Sequence, residues 1–244
     1  MMKLSDFDYH LPKELIAQYP SARRDNCRLL VVDRVSGRLE HRIFRDIFGY
    51  LDQGDLLVLN NTRVRTCRLH ARRKTGGAVE VFLLRQKRGL CFDVMLKPAR
   101  IKQGERILFA NTAITGILTG VNEITFDAPD TDAVYSLGQI PLPPYIKRAP
   151  EAMDSVYYQT VYAECDGSVA SPTAGLHFTK QLLGRISRKG VDVEYVTLHV
   201  GLGTFREVRA EDIREHAMQE EYYSIPPQAQ SALIRLHGQP ALAG

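Results

Sequence analysis

Three stretches concentrate groups that perform chemistry rather than fill space. The first is Gly167-Ser168-Val169-Ala170-Ser171-Pro172-Thr173-Ala174-Gly175-Leu176-His177-Phe178-Thr179, which packs two glycines, a proline, four hydroxyls and a histidine ahead of an expected helix. A helix N-terminus presents unpaired N–H groups and the positive end of the peptide dipole, a setting for a carboxylate or phosphate. His177 is the first general acid/base candidate, because an unperturbed imidazole titrates near neutrality; a purely structural histidine is the alternative. The second stretch is Thr197-Leu198-His199-Val200-Gly201-Leu202-Gly203-Thr204-Phe205-Arg206. Gly201 and Gly203 imitate the start of a dinucleotide fingerprint, but Arg206 stands at the third glycine position and no helix pattern follows. What remains is a loop allowing close backbone approach to a ligand, with His199 just before it as the rival to His177. The third is Asn60-Asn61-Thr62-Arg63-Val64-Arg65, directly after an apolar strand. Ligands bind at the carboxyl ends of strands in α/β sheets, so amides, a hydroxyl and guanidinium groups there suit a polar ligand. A hydrogen-bonded turn that merely begins the next unit is the other reading.

These stretches need elements to hold them. Pro12-Lys13-Glu14-Leu15-Ile16 reads as a short helix start, Leu29-Leu30-Val31-Val32 as a buried strand, and Ile43, Phe44, Ile47 and Leu51 recur at helical spacing. Gly54-Asp55 breaks that pattern and Leu56–Leu59 follows as a strand. From Val64 to Pro141 short strands alternate with turns and no helical period is evident. Thr75-Gly76-Gly77 signals a hairpin before the strand Ala78–Leu84, and further strands end near Phe109, Leu118 and Phe126. The expected architecture is an α/β domain, residues 1–63 and 147–244, with a small antiparallel β-barrel inserted over residues 64–146. Pro141-Leu142-Pro143-Pro144 reads as a stiff connector. Thr179 caps a helix bearing Leu182, Leu183 and Ile186, Gly190 ends it, and Val191–Val196 alternates as a strand.

The 244 residues are 44% hydrophobic and 25% charged, an ordinary globular composition. No run approaches the roughly 20 apolar residues of a membrane span, and Met1-Met2-Lys3-Leu4-Ser5-Asp6 lacks a signal-peptide core. The expected compartment is the cytoplasm. Cys27, Cys67, Cys91 and Cys165 are far apart, without zinc-ligand spacing, and read as reduced packing residues; no metal is expected. The net charge of +4 hides an asymmetry. Between Arg63 and Arg106 stand thirteen Lys or Arg against Glu80, Asp93 and Glu105, so this segment carries +10 and the rest of the chain −6. A basic segment on an acidic protein points to a polyanionic partner.

In order and spacing these stretches are similar to the S-adenosylmethionine:tRNA ribosyltransferase-isomerase family of queuosine biosynthesis. The likeness extends through Phe7-Asp8-Tyr9, Leu15-Ile16-Ala17-Gln18, Arg24-Asp25, Arg28-Leu29-Leu30, Thr75-Gly76-Gly77 and Ile140–Ile146, and runs from the first residues to about Pro226. The resemblance implies an α/β domain with an inserted β-barrel. It implies transfer and isomerisation of the ribosyl moiety of S-adenosylmethionine onto 7-aminomethyl-7-deazaguanine at the tRNA wobble position, giving epoxyqueuosine, adenine and methionine. No metal or redox cofactor is implied, and a monomer is expected. On that chemistry His177 or His199 moves the proton. Thr173, Ser168 and Thr204 orient ribose hydroxyls, and Gly175, Gly201 and Gly203 permit close approach. Asn60 and Arg63 hold a carboxylate or phosphate, while Arg65, Arg68, Arg72, Arg73 and Lys74 contact tRNA phosphates.

Departures from the family pattern are Ser171 where alanine is usual, Glu207 in place of a proline, and Gln219 in place of a histidine. The family's Asn-Phe-His-Leu-Pro element is not found, and the chain ends in Arg235–Gly244, so a C-terminally shortened α/β domain is expected. Two rival readings follow: an inactive tRNA-binding remnant of the same family, and a scaffold that binds a protein through Pro141–Pro144.

Overall fold

The computed structural model describes residues 2–99, 101–205 and 207–237. Arg100 of the basic segment, Arg206 of the glycine loop and the tail from Gly238 onward lie outside the described residues. Strands β1 (Arg28–Val32) and β2 (Leu39–Ile43) pair antiparallel as a ribbon of their own. This corrects the expectation of a buried strand at Leu29–Val32: Leu30 is 55% and Val32 53% exposed. A ribbon is covered on one face, so the alternate apolar side chains meet solvent. The helical spacing of Ile43 to Leu51 yields a 3-10 helix, Phe44–Tyr50, which buries Phe44.

Strands β3 (Leu56–Asn60) and β4 (Thr62–Val64) lead into the barrel, built from β5 (Arg68–Arg73), β6 (Ala78–Gln86), β7 (Cys91–Lys97), β8 (Arg106–Phe109), β9 (Thr115–Gly120) and β10 (Glu123–Asp127). The order β5-β6-β7-β10-β9-β8 closes on itself because β8 also pairs β5, with Arg73 opposite Ile107 and Ala71 opposite Phe109. Each strand turns alternate residues inward. Leu69, Val81, Leu83, Phe92, Val94, Ile107 and Ile124 are at most 2% exposed and fill the interior. Burial of each such side chain stabilises by roughly 1.5–3 kcal/mol. Helix α1 (Thr131–Ser136) plugs Val134 into this core and is capped by the Asp130 carboxylate, which accepts from the Ala133 N–H at 2.7 Å. Its six residues are too few for a helical period to register in the sequence, so a helix stands where only short strands and turns are expected. The two-residue strand β11 (Gly138–Gln139) then lies against the start of β5.

After the connector come α2 (Asp154–Tyr157), β12 (Cys165–Ser168), α3 (Lys180–Arg188), β13 (Asp192–Leu198), β14 (Tyr223–Ser224) and α4 (Pro227–His237). β13 runs parallel to β3 and antiparallel to β14, while β12 runs parallel to β4. The chain therefore changes partner, from β13 to β12, at Asn60–Asn61. As expected, Thr179 caps α3, Gly190 follows it with φ +92°, and β13 begins two residues later. Phe44, Leu59, Phe178, Leu182, Ile186 and Val191 form the second core, so α3 and the Phe44–Tyr50 helix clamp the segment that carries His177. The molecule is thus a mixed α/β chain carrying a closed antiparallel barrel. Among the described residues no helix is long and apolar enough to cross a membrane.

Candidate active site

Thr173–His177 folds as a 3-10 helix between the buried Ser171 and Phe178. Gly175 lets the Tyr162 side chain pack directly against this helix, for a Cβ atom there would lie 2.1 Å from the Tyr162 hydroxyl. The helix forms one wall of a cavity of about 320 Å³ that is also lined by Tyr19, Tyr145, Tyr157 and Tyr158. Four aromatic rings with few polar groups make an apolar slot of the size that takes a heterocycle. His177 and Thr173 face it from the same turn.

The walls are tied together from distant parts of the chain. One guanidinium nitrogen of Arg24 donates to the carbonyls of Leu176 at 3.0 Å and Tyr157 at 3.3 Å, and the other to Val156 at 2.7 Å. Gln18 donates to the Tyr145 carbonyl and accepts from the Lys147 N–H at 2.7 Å. Arg148 forms a two-pronged ion pair with the buried Asp154, at 2.7 and 2.6 Å, and its guanidinium lies 4.4 Å from the centre of the Tyr19 ring. Arg24, Gln18 and Asp154 did not emerge as site residues from the sequence. Arg24 and Gln18 do stand in the family-like segments, but their partners lie more than a hundred residues away.

His177 is half-buried with its ring 5.1 Å from that of Phe44. Burial lowers its pKa below the ordinary 6.5, against a hydrogen bond to the Arg24 backbone that raises it, so the neutral imidazole prevails at neutral pH. As expected, His177 precedes α3, whose Leu182 N–H is taken by the capping Thr179 hydroxyl at 3.1 Å.

His199 occupies a different environment. Its Nδ1 lies 2.7 Å from the hydroxyl of the fully buried Thr62, and its ring stacks on Tyr222 at 5.4 Å. Gly167 covers its other nitrogen so closely that a Cβ there would fall 2.6 Å from Nε2. Burial lowers the His199 pKa as well. Gly203 and Thr204 line a second, more polar groove of about 1030 Å³, together with Glu207, Glu215 and Glu221. The hydroxyl-bearing Thr204 is exposed, and the Gly201 N–H donates to Glu221 at 2.7 Å. Pro143 lines the first cavity and Pro144 the second, so the proline connector is the partition between them.

Other predicted ligand-binding groups are spent inside the fold. The Asn60 amide donates to the Leu198 carbonyl and accepts from the N–H groups of Leu198 and Thr62, stitching the point where the strand changes partner. The Ser168 hydroxyl, 1% exposed, donates to the Ala170 carbonyl at 2.6 Å and accepts from the Val200 N–H at 3.0 Å. As placed, both are struts: buried polar groups find internal partners because leaving them unpaired is costly. Arg63 donates to the Ala163 carbonyl at 2.8 Å and keeps half its surface in solvent.

The five predicted phosphate contacts divide. Arg65 pairs with Asp166 at 3.1 Å and stacks over Tyr135, Arg68 pairs with Glu80, and Arg73 grips Glu105 at 2.5 and 2.7 Å. Arg72 and Lys74 are exposed and carry no ion pair among the described residues.

Ser171, the departure from alanine, is 4% exposed and its hydroxyl has no hydrogen-bond partner among the described residues. Ser171→Ala removes a desolvated, unpaired group, so it should stabilise the chain by about 1 kcal/mol. A urea unfolding midpoint that rises with an unchanged m-value is the expected result.

Similarity to known proteins extends over nearly the whole chain. Residues 4–240 match the family model described as queuosine biosynthesis protein. A curated relative from Sulfurihydrogenibium sp. (strain YO3AOP1), named S-adenosylmethionine:tRNA ribosyltransferase-isomerase, is 51% identical over 231 residues, covering 92% of this chain and 69% of the relative. A crystal structure of S-adenosylmethionine tRNA ribosyltransferase from Thermotoga maritima is 30% identical with a TM-score of 0.41, over 94% of this chain and 65% of that one. The chain thus spans about two thirds of the length of either. On the family match over nearly its full length, the chain belongs to the queuosine biosynthesis protein family.

Proposed function

We propose that this chain is an S-adenosylmethionine:tRNA ribosyltransferase-isomerase, moving the ribosyl group of S-adenosylmethionine onto 7-aminomethyl-7-deazaguanine at the tRNA wobble position to give epoxyqueuosine. The observation that carries this reading is the tyrosine-lined slot with His177 and Thr173 on one wall. Such a slot stacks a flat heterocycle, adenine or the deazaguanine, while the histidine reaches the sugar.

The reaction removes a proton beside the sulfonium, expels adenine, lets the acceptor amine attack the sugar, and closes the epoxide with loss of methionine. The neutral imidazole that partial burial favours is the form able to accept a proton. His177 is therefore assigned the base role, returning its proton to the departing adenine, and Thr173 the orientation of a ribose hydroxyl. Gly203 and Thr204 line the neighbouring polar groove, and the Gly201 N–H donates to Glu221 on its wall, a setting suited to the amino-acid end of the donor or to the RNA. The proposed setting is a cytoplasmic monomer acting on tRNA with no cofactor beyond the donor substrate.

The test is to incubate the protein with S-adenosylmethionine and precursor-bearing tRNA and to assay adenine and epoxyqueuosine together. Stoichiometric appearance of both supports the assignment. Tight tRNA binding without release of adenine would instead favour the inactive remnant.

A further inference from the structure

The barrel's charge is not spread evenly once ion pairs are drawn. Beside the β5–β6 hairpin, Glu80 and Glu105 are consumed by other residues: Glu80 by Arg68 and Glu105 by Arg73. Five further cations, Arg72, Lys74, Lys97, Lys102 and Arg106, are exposed there and make no ion pair among the described residues. Strand register makes them neighbours. Arg73 lies opposite Ile107, which sets Lys74 beside Arg106; Glu80 lies opposite Lys97; and the Glu105 N–H bonds the Lys102 carbonyl. Beside the later part of β6 the pattern differs, for Asp93 and Glu123 neutralise Arg85 and Lys87 and leave Arg88 exposed without an ion pair among the described residues.

The hairpin end is also the far one. The chain enters the barrel at Arg68 and leaves it at β11, which pairs Arg68 and Leu69, whereas the cationic rim begins at Arg72 on the other end of β5. We infer that the rim formed by Arg72, Lys74, Lys97, Lys102 and Arg106 is a phosphate-binding surface that grips the tRNA backbone away from the reacting base. The inference rests on tRNA being the substrate, and it relocates the expected phosphate-binding residues. Arg65, Arg68 and Arg73 are committed within the protein, so, Arg88 apart, the free positive charge among the described barrel residues lies on the rim. Charge pairing with phosphates carries affinity and salt dependence without base specificity.

The experiment measures binding of a labelled tRNA transcript by fluorescence anisotropy across a potassium chloride series, with the parent, a rim variant and a control. The rim variant combines Lys74→Ala, Lys97→Ala, Lys102→Ala and Arg106→Ala. The control combines Arg85→Ala near the end of β6 remote from its hairpin with β5 and Arg88→Ala in the turn just beyond that strand. The rim variant should bind at least about tenfold more weakly near 0.1 M salt, with a salt slope flatter by about 0.7 to 0.9 for each phosphate no longer neutralised, while the control keeps the parent slope. An unchanged unfolding midpoint shows that the fold is intact, and Lys74→Glu with Lys102→Glu provides a second, two-site route to the same weakening. Equal affinity and slope in parent and rim variant would overturn the rim assignment, as would an equal weakening in the control. A parent that binds no tRNA at any salt concentration would instead overturn the tRNA reading itself.

Discussion

His177→Ala should lower the rate of adenine release by about a hundredfold or more while leaving tRNA affinity nearly unchanged, the signature of a missing general base. The expectation follows from placement. His177 faces the tyrosine-lined cavity, burial favours its neutral form, and its ring is held by Phe44 and by the Arg24 backbone. Alanine also removes that packing, so His177→Asn is the companion: it retains a polar, hydrogen-bonding side chain but no basicity, and should fold normally yet remain inactive. The acid limb of the parent's pH–rate profile should lie below 6.5, because the folded-state pKa is depressed. The same depression means that the unfolded chain takes up the proton first, so stability declines as pH falls from 6.5 toward the lowered value. An asparagine variant that turns over at the parent rate would pass the base role to His199.

The second large effect concerns Arg148. Arg148→Met leaves the Asp154 carboxylate, whose side chain is 4% exposed, without its counter-charge, and should destabilise the chain by about 3–5 kcal/mol. For a chain of this size that is a fall in Tm of about 10 °C. Arg148→Met with Asp154→Leu should recover most of that stability, because replacing both charges by apolar groups avoids the stranded carboxylate. In the parent, the Arg148 hydrogen bonds hold the Asp154 pKa below the ordinary 3.8. That contribution is present above the ordinary aspartate value and is lost as pH falls through the lowered one, so acid should narrow the gap between parent and single variant. Because Arg148 also donates to the Gln18 carbonyl and lies over Tyr19, turnover should fall in the single variant even at temperatures where it remains folded. A single variant as stable as the parent would show that water reaches Asp154.

Much of this molecule is written locally. The capped helix after Thr179, the turn at Gly76 and the alternating strands of the barrel follow from caps, positive-φ glycines and two-residue periodicity, all of which act within a few residues. The order and spacing of the His177, His199 and Asn60 stretches likewise identify the family. Short elements escaped the same reading: α1 is below the length at which a period registers, and the exposure of Leu30 and Val32 depends on β1 having only one neighbour.

What residue type and spacing by themselves determined, then, was the set of elements and which stretches hold chemistry. Which groups remain free to act was decided only by tertiary structure. Asn60 and Ser168 look like ligand-binding groups in a one-dimensional reading, yet their hydrogen bonds are taken by Leu198 and Val200, and Arg68 and Arg73 are neutralised by acids on neighbouring barrel segments. Conversely, Arg24 and Asp154 become wall-builders of the cavity through Leu176 and Arg148. The physical reason is that a buried donor, acceptor or charge must be satisfied by whatever the fold brings within about 3 Å, and those partners are set by strand pairing and packing rather than by sequence neighbourhood.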